Sequence, residues 1–396
     1  MFFFENVKEE ALDPILGLII KFTEDKRKNK VNLGAGIYKT ADLKSFILSS
    51  VKKAEHNLLA NEASKDYLPI DGSPEYVQLT KELVFGKKLL STHMYGAQTV
   101  GGTAALSVGA HFLKEVGLRR IYLSSPTWAN HYRVFQDVGF EVKTYPYFSW
   151  KKKGFDFPEL MQELERMPEQ SVVLFQASCH NPTGFDPKMD EWQEIFDKIE
   201  QKNIFPFFDL AYQGLGDSIE KDVAILPSFL ERGLECAVAV SHAKNFGLYG
   251  ERCGALFFNC KNGASVKSVG SRIKMIIRGL YSNPPCHGAR IVTTVLQDKE
   301  LMQQWRNELE GMRERISEMR KTLVLSLQVK GSTSHFDFMS AQKGMFSYTG
   351  LEENQVERLI AEYGIYLPKD GRINVAGLNS QNIDYVVDAI LAVSSL

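Results

Sequence analysis

Residues 120–124, 171–176, 204–209 and 236–241 each hold a run of consecutive apolar side chains without polar alternation. A strand with one face in water alternates polar and apolar positions, so unbroken runs predict strands covered on both faces. Between them the period changes, and residues 191–202 repeat their apolar positions at helical intervals. Strands and helices in alternation predict an α/β fold with a mostly parallel sheet. Further along, Trp305, Leu309, Met312, Ile316, Met319 and Leu323 are spaced 4, 3, 4, 3 and 4 residues apart. That spacing predicts one long helix with a single buried stripe, either a coiled-coil seam or a bridge between two domains. The remaining C-terminal stretch mixes helical and short strand patterns and predicts a second, α+β domain.

Composition narrows the class. The chain has 396 residues, 44% of them apolar, enough for a large core and two domains. A net charge of −1 leaves no basic surplus for nucleic acid. No lysine-arginine cluster borders an apolar helix, and the apolar run at 14–20 is too short to span a bilayer. The opening Met1-Phe2-Phe3-Phe4-Glu5 turns acidic too soon for a secretory signal. Five cysteines with no Cys-x-x-Cys fit a reducing compartment such as the cytoplasm. His93, His111, His131, His180, His242, His287 and His335 form no metal-spaced pair, so no metal site is expected.

Polar residues follow the predicted strands: Asn181, Asp209, Ser241 and Lys244. In parallel sheets, ligands bind beyond the carboxyl ends of the strands. The string Ser241-His242-Ala243-Lys244-Asn245-Phe246-Gly247-Leu248-Tyr249-Gly250-Glu251-Arg252 carries a lysine with a hydroxyl before it and an arginine after it. Lys244 can hold an aldehyde as a Schiff base while Ser241 and Arg252 bind a phosphate on the same molecule. That reading is pyridoxal phosphate (PLP) chemistry. Ser-x-x-Lys alone also opens the acyl-enzyme motif of penicillin-binding proteins, but the further motifs of that family are absent. A surface lysine in a loop is the plain alternative.

Other motifs admit two readings each. Asp209, in Asp209-Leu210-Ala211-Tyr212, either caps a helix or bonds the pyridine nitrogen of PLP, with Tyr212 on the ring 3-oxygen. Asn181-Pro182-Thr183-Gly184 is a tight turn whose asparagine can reach the same oxygen. Gly101-Gly102-Thr103-Ala104 precedes a helical run at 105–113 and can present N–H groups to a phosphate. Trp128 either packs in the core or stacks on a cofactor ring. Arg372, in Gly371-Arg372-Ile373-Asn374, and Arg278 offer planar forks that match carboxylates, or else form surface ion pairs.

Taken in order, Gly-Gly-Thr, Asn-Pro-Thr-Gly, Asp-x-Ala-Tyr, Ser-x-x-Lys with its later arginine, and Gly-Arg-Ile-Asn resemble the class I, fold-type I PLP-dependent aminotransferases. The chain closely resembles the aspartate and aromatic aminotransferase group. It extends from Asp13-Pro14-Ile15-Leu16-Gly17-Leu18 to Val375-Ala376-Gly377. It implies a large PLP-binding domain over 45–305 and a small domain from 1–44 and 306–396, joined by the long helix. Lys244 is then similar to the Schiff-base lysine, Asp209 to the partner of the ring nitrogen, and Asn181 and Tyr212 to those of the 3-oxygen. Gly102, Thr103, Ser241 and Arg252 resemble the phosphate cup, and Trp128 the stacking ring with His131 behind it. Arg372 looks like the clamp on the substrate α-carboxylate, and Gly36 like a glycine of the closing loop. Tyr67 and Arg278 resemble residues that serve the neighbouring subunit's site, which implies a homodimer.

The resemblance also implies ping-pong transfer from L-aspartate to 2-oxoglutarate, giving oxaloacetate and L-glutamate. Lys39 and Asn283 keep the polar character of aspartate-preferring relatives; aromatic or broad specificity is the alternative. A β-lyase or decarboxylase on the same fold is disfavoured by the two arginines. A PLP-binding regulator would need a spare DNA-binding segment. Three departures stand out: Ala104 in place of a third small glycine, Gln176 where relatives carry histidine, and Pro368-Lys369-Asp370 before Gly371.

Overall fold

The computed structural model describes residues 3–9, 14–87, 93–331 and 335–394. Met1, Phe2 and Asp13 of the sequence readings lie outside the described residues.

Seven strands form the central sheet: β1 (Met94–Val100), β2 (Arg120–Ser125), β3 (Glu141–Pro146), β4 (Val172–Gln176), β5 (Phe205–Leu210), β6 (Cys236–Ser241) and β7 (Cys253–Asn259). Their spatial order is β1-β7-β6-β5-β4-β2-β3. From β3 to β6 every pairing is parallel. Only β7 is antiparallel, to both β6 and β1. All four strands expected from apolar runs are present to within about one residue, the usual uncertainty of element ends. The runs exist because both faces are covered: Val238 and Val240 join one buried cluster, Ala237 and Ala239 the other. Helices Gly101–Glu115 and Gly263–Leu280 pack on the alanine side.

Three strands were not expected. Gly96 and Gln98 interrupt β1, and β3 is an edge strand with Glu141, Lys143 and Thr144 exposed, so neither shows an apolar run. Strand β7 is buried throughout, and its apolar stretch Ala255-Leu256-Phe257-Phe258 follows the Lys244 string without being expected as a strand.

The long helix is Lys299–Gly331. Trp305, Leu309, Met312, Ile316 and Leu323 are buried along it, as the spacing predicts, but Met319 is only partly buried and Arg320 takes its place. A straight helix drifts about 20° per heptad against a strict seven-residue repeat, so the buried stripe moves on to a later residue after two heptads. Near its start, Trp305 Nε1 donates to the Asn245 carbonyl (2.7 Å) and the indole stacks on Phe246. Further on, Arg320 donates to Ser347 Oγ (3.0 Å), to the Phe346 carbonyl (3.1 Å) and to the Gly344 carbonyl. One helix therefore touches the segment carrying Lys244 and the segment carrying Phe346.

Three short strand pairs stand apart from the sheet; Phe148–Ser149 with Gly154–Phe155 lies mid-chain, and the other two join segments from the N- and C-terminal parts of the chain. Val31–Asn32 pairs in parallel with Ile365–Tyr366, and Phe346–Tyr348 pairs antiparallel with Arg372–Asn374. Arg372 and Asn374 are two residues apart on one strand and point the same way. Asn374 Nδ2 donates to the Ala35 carbonyl (2.6 Å) and the Ile37 carbonyl (2.8 Å), and so fastens the loop that carries Gly36.

Candidate active site

The carboxyl ends of β4, β5 and β6 bring Gln176, Asp209 and Ser241 together. Gln176 and Asp209 are register partners across the parallel ladder. Above these ends is a cavity of about 200 Å³, lined by Gly36, Gly102, Thr103, Trp128, Asn181, Asp209, Tyr212, Ser241, Lys244, Arg252 and Arg372. Every pocket residue singled out from the motifs is among them. Ile15, Leu106, Gln176, Ala211, Ala243 and Phe346 also line it, and none of these six was expected to.

The phosphate cup is built by close backbone approach. Gly101 has φ +75°, and a Cβ there would lie 2.5 Å from Arg252 Nη2. A Cβ on Gly102 would lie 3.0 Å from that of Ser241. Gly101 and Gly102 are the first turn of helix Gly101–Glu115, not a loop before it, so their N–H groups face the cavity with the positive end of the helix. Ala104 belongs to that turn, and its methyl leaves the helix start intact. Arg252 itself has φ +56° and is braced by Nη1 donating to the Tyr249 carbonyl (3.0 Å). The residues fit a phosphorylated ligand: side chains larger than hydrogen at Gly101 and Gly102 would fill the cradle, and a guanidinium closes it.

Lys244 lies between this cup and Arg372, its Nζ 5.3 Å from the Tyr212 ring centre. Burial pushes its amine down to about 8; Asp209 opposes the shift, and Arg252 and Arg372 add to it. Asp209 is held by His131, whose Nε2 stands 3.2 Å from Oδ2 while Nδ1 bonds Thr127 Oγ1 at 2.8 Å. Trp128, in the turn before helix Asn130–Asp137, packs edge-on against His131 in the first turn of that helix, so the Trp128 ring and the residue that holds Asp209 are placed together. Burial pushes the Tyr212 hydroxyl up, with Arg372 opposing, so it stays a neutral donor.

Arg372 is buried with its guanidinium 4.2 Å from the Phe346 ring centre. Nη1 donates to Asn181 Oδ1 (3.1 Å) and Nη2 to the Gly34 carbonyl (3.0 Å), while Nε finds no partner among the described residues. Burial lowers its pKa from the ordinary arginine value. Asn181 Nδ2 in turn donates to Tyr212 Oη at 3.4 Å. The asparagine thus joins the tyrosine to the arginine.

Tyr67 and Arg278 lie outside this cavity. Tyr67 is 92% exposed, and Arg278 is exposed at the end of helix Gly263–Leu280, bonded to Ser282 Oγ. Lys39 bonds Ser45 Oγ at 3.2 Å, and Asn283 bonds the Leu68 carbonyl at 3.2 Å. Among the described residues, no group of three or more His, Cys, Asp or Glu converges to hold a metal, and no helix is long and apolar enough to cross a membrane.

Fold and site together define an α/β protein with a small cavity centred on the buried Lys244, bordered on one side by Gly102, Ser241 and Arg252 and on the other by the buried Arg372. Residues 28–390 match the family described as aminotransferase class I and II, and the chain belongs to that family. It is 44% identical over 394 residues to the aspartate aminotransferase of Escherichia coli K12, covering 98% of this chain and all of that one. Among solved structures, the aromatic-amino-acid aminotransferase of Burkholderia pseudomallei, covalently bound to pyridoxal phosphate, superposes with a TM-score of 0.96 at 41% identity. That match covers 99% of this chain and all of that one. The cytoplasmic aspartate aminotransferase of Saccharomyces cerevisiae gives 0.96 at 35% identity, covering 99% and 98%.

Proposed function

We propose that this aminotransferase uses PLP to move the amino group of L-aspartate to 2-oxoglutarate, forming oxaloacetate and L-glutamate. The observation that carries the reading is the placement of Lys244, Asp209, Arg252 and Arg372 around one small cavity. Lys244 would hold the cofactor through its aldehyde carbon, Gly102, Thr103, Ser241 and Arg252 its phosphate, and Asp209 its ring nitrogen. Asn181 and Tyr212 would face the ring oxygen, and Trp128 the ring face. When bound, PLP supplies an electron sink for the carbanion formed at the substrate Cα.

The chain's own groups do the rest. Arg372 orients the substrate by its α-carboxylate, whose oxygens meet the unpartnered Nε edge of the guanidinium. Lys244 Nζ, poised at about 8, takes the Cα proton as a base and returns it as an acid near neutral pH. Holding base and carbon together can account for roughly 7–11 kcal/mol of the barrier. Gly36 and the loop fastened by Asn374 close off water. One cavity serves donor and acceptor in turn, which supports ping-pong kinetics.

The same proposal includes a homodimer with Tyr67 reaching the phosphate of the partner's site and Arg278 its side-chain carboxylate. The exposure of both residues within one chain supports it. A large domain over 45–305 and a small one from 1–44 and 306–396 is supported by two short strand pairs, Val31–Asn32 with Ile365–Tyr366 and Phe346–Tyr348 with Arg372–Asn374, whose members all fall in the small one. A cytoplasmic location is supported by five free thiols.

Transamination of tyrosine and phenylalanine is the second reading. Ile15 and Phe346 favour it because they add apolar surface to the pocket. Steady-state kinetics on purified protein decide: a larger kcat/KM for tyrosine than for aspartate overturns the aspartate assignment. Titration with aspartate and then with 2-oxoglutarate should switch the absorbance of the bound cofactor out and back.

A further inference from the structure

Gln176 ends β4 in the middle of the sheet and is buried at the cavity wall. Its side-chain amide is turned onto the main chain. Oε1 accepts from the Asn181 backbone N–H at 2.8 Å, and Nε2 donates to the Asn181 carbonyl at 2.9 Å. Both polar atoms of the amide are used, and both on the same residue. Only one orientation of the amide allows this, since the flipped one sets donor against donor and oxygen against oxygen. The pair reproduces a sheet ladder's two-bond exchange, but between a side chain and the main chain five residues on.

The turn after Gln176 has no other main-chain anchor of this kind at Asn181. Asp186 accepts the N–H groups of Cys179 (2.8 Å) and His180 (3.0 Å), which fixes the two residues before it. His180 is locked between Ser124 Oγ (2.8 Å) and Thr183 Oγ1 (2.9 Å). At Asn181 itself, among the described residues, the backbone N–H and carbonyl both bond Gln176, and the side chain reaches Tyr212 and Arg372.

We infer that Gln176 is a positioning residue: it sets the main chain of Asn181 so that one amide can serve Tyr212 and the cofactor oxygen on one side and Arg372 on the other. The inference rests on the site reading above and deepens it. Histidine or any apolar residue would satisfy at most one of the two Asn181 groups, so the two-bond grip belongs to glutamine at this position.

The test uses the dimeric holoenzyme and four proteins: wild type, Gln176→Met, Asn181→Ala and the double variant. Three quantities are measured on each: the pH midpoint of the bound cofactor's absorbance, KM for both substrates, and Tm. Asn181→Ala should raise the midpoint, because an anionic oxygen that loses a donor holds its proton more tightly. Gln176→Met should shift it the same way by a smaller amount and raise both KM values together by about tenfold, with kcat changed less. In the Asn181→Ala background, Gln176→Met should add nothing to midpoint or KM. Gln176→Asn keeps an amide one methylene short of Asn181 and gives the same comparison if the methionine variant does not fold.

The inference is overturned if Gln176→Met lowers Tm but leaves midpoint and KM unchanged, or if its effects persist in full without the Asn181 side chain. If Asn181→Ala leaves the midpoint in place, the site reading fails and this inference falls with it. If Asn181→Ala moves it and Gln176→Met does not, only the inference fails.

Discussion

Lys244 sits at about 8 because burial disfavours its charged form more than Asp209 restores it. The unfolded chain binds that proton more tightly, with a value of 10.5. Stability of the cofactor-free protein therefore gains from this residue as pH rises from about 8 to 10.5, and the full burial cost is felt below 8. The same value predicts that capture of PLP by the free protein accelerates with pH and levels off above about 8, followed by absorbance. Asp209→Asn removes the one contribution that raises the amine, so its midpoint should fall further. A midpoint near the ordinary lysine value would contradict the burial described. Arg372→Lys keeps the charge but loses the planar fork. It should raise KM for donor and acceptor alike by roughly ten- to a hundredfold, since charge-assisted bonds contribute about 1.5–3 kcal/mol. An effect confined to one substrate would show that the two acids dock differently.

Helix Lys299–Gly331 ties the site from behind, and Arg320 is its least expected residue. Arg320→Met leaves the Gly344 and Phe346 carbonyls and Ser347 Oγ without their donor. It should cost about 2–4 kcal/mol in denaturant unfolding, for several buried groups left unmade. An unchanged midpoint in urea would mean that water or repacking replaces the guanidinium. The helix was legible from spacing, yet its buried arginine was not, because a polar residue enters the stripe only through the slow drift of the helical face. The central strands β2, β4, β5 and β6 were legible because both faces are covered, while β7, equally buried, was passed over beside the Lys244 string. Strands β1 and β3 were not, since a glycine and glutamine in one and an exposed edge in the other erase the apolar run. For the pocket, the motif residues converge on one cavity as read. Gln176 was noticed only as a departure, because nothing in a linear string shows that a strand-end side chain folds forward onto the turn. Tyr67 was singled out through resemblance alone, and Arg278 stood out only as a planar fork that could equally form a surface ion pair.

Across the whole molecule, the exposed positions of Tyr67 and Arg278 make sense if each completes another subunit's cavity. Lys244→Ala and Arg278→Ala should each be poorly active on aspartate. Mixed and allowed to reassociate, they should regain about a quarter of wild-type activity, because half the dimers are hybrids and each hybrid holds one intact site of two. No recovery would mean that Arg278 does not act across an interface. Arg372 has a consequence of a more practical kind. Its Nε edge is buried and unmatched, while Nη1 and Nη2 are committed to Asn181 and Gly34. Any small organic acid of suitable size relieves that mismatch, reactive or not. Acetate, citrate or formate in a purification buffer will therefore act as ligands: they should raise the melting temperature over chloride at equal ionic strength and inflate apparent Michaelis constants, so that the choice of counter-ion alone can make two laboratories disagree about the enzyme's preference.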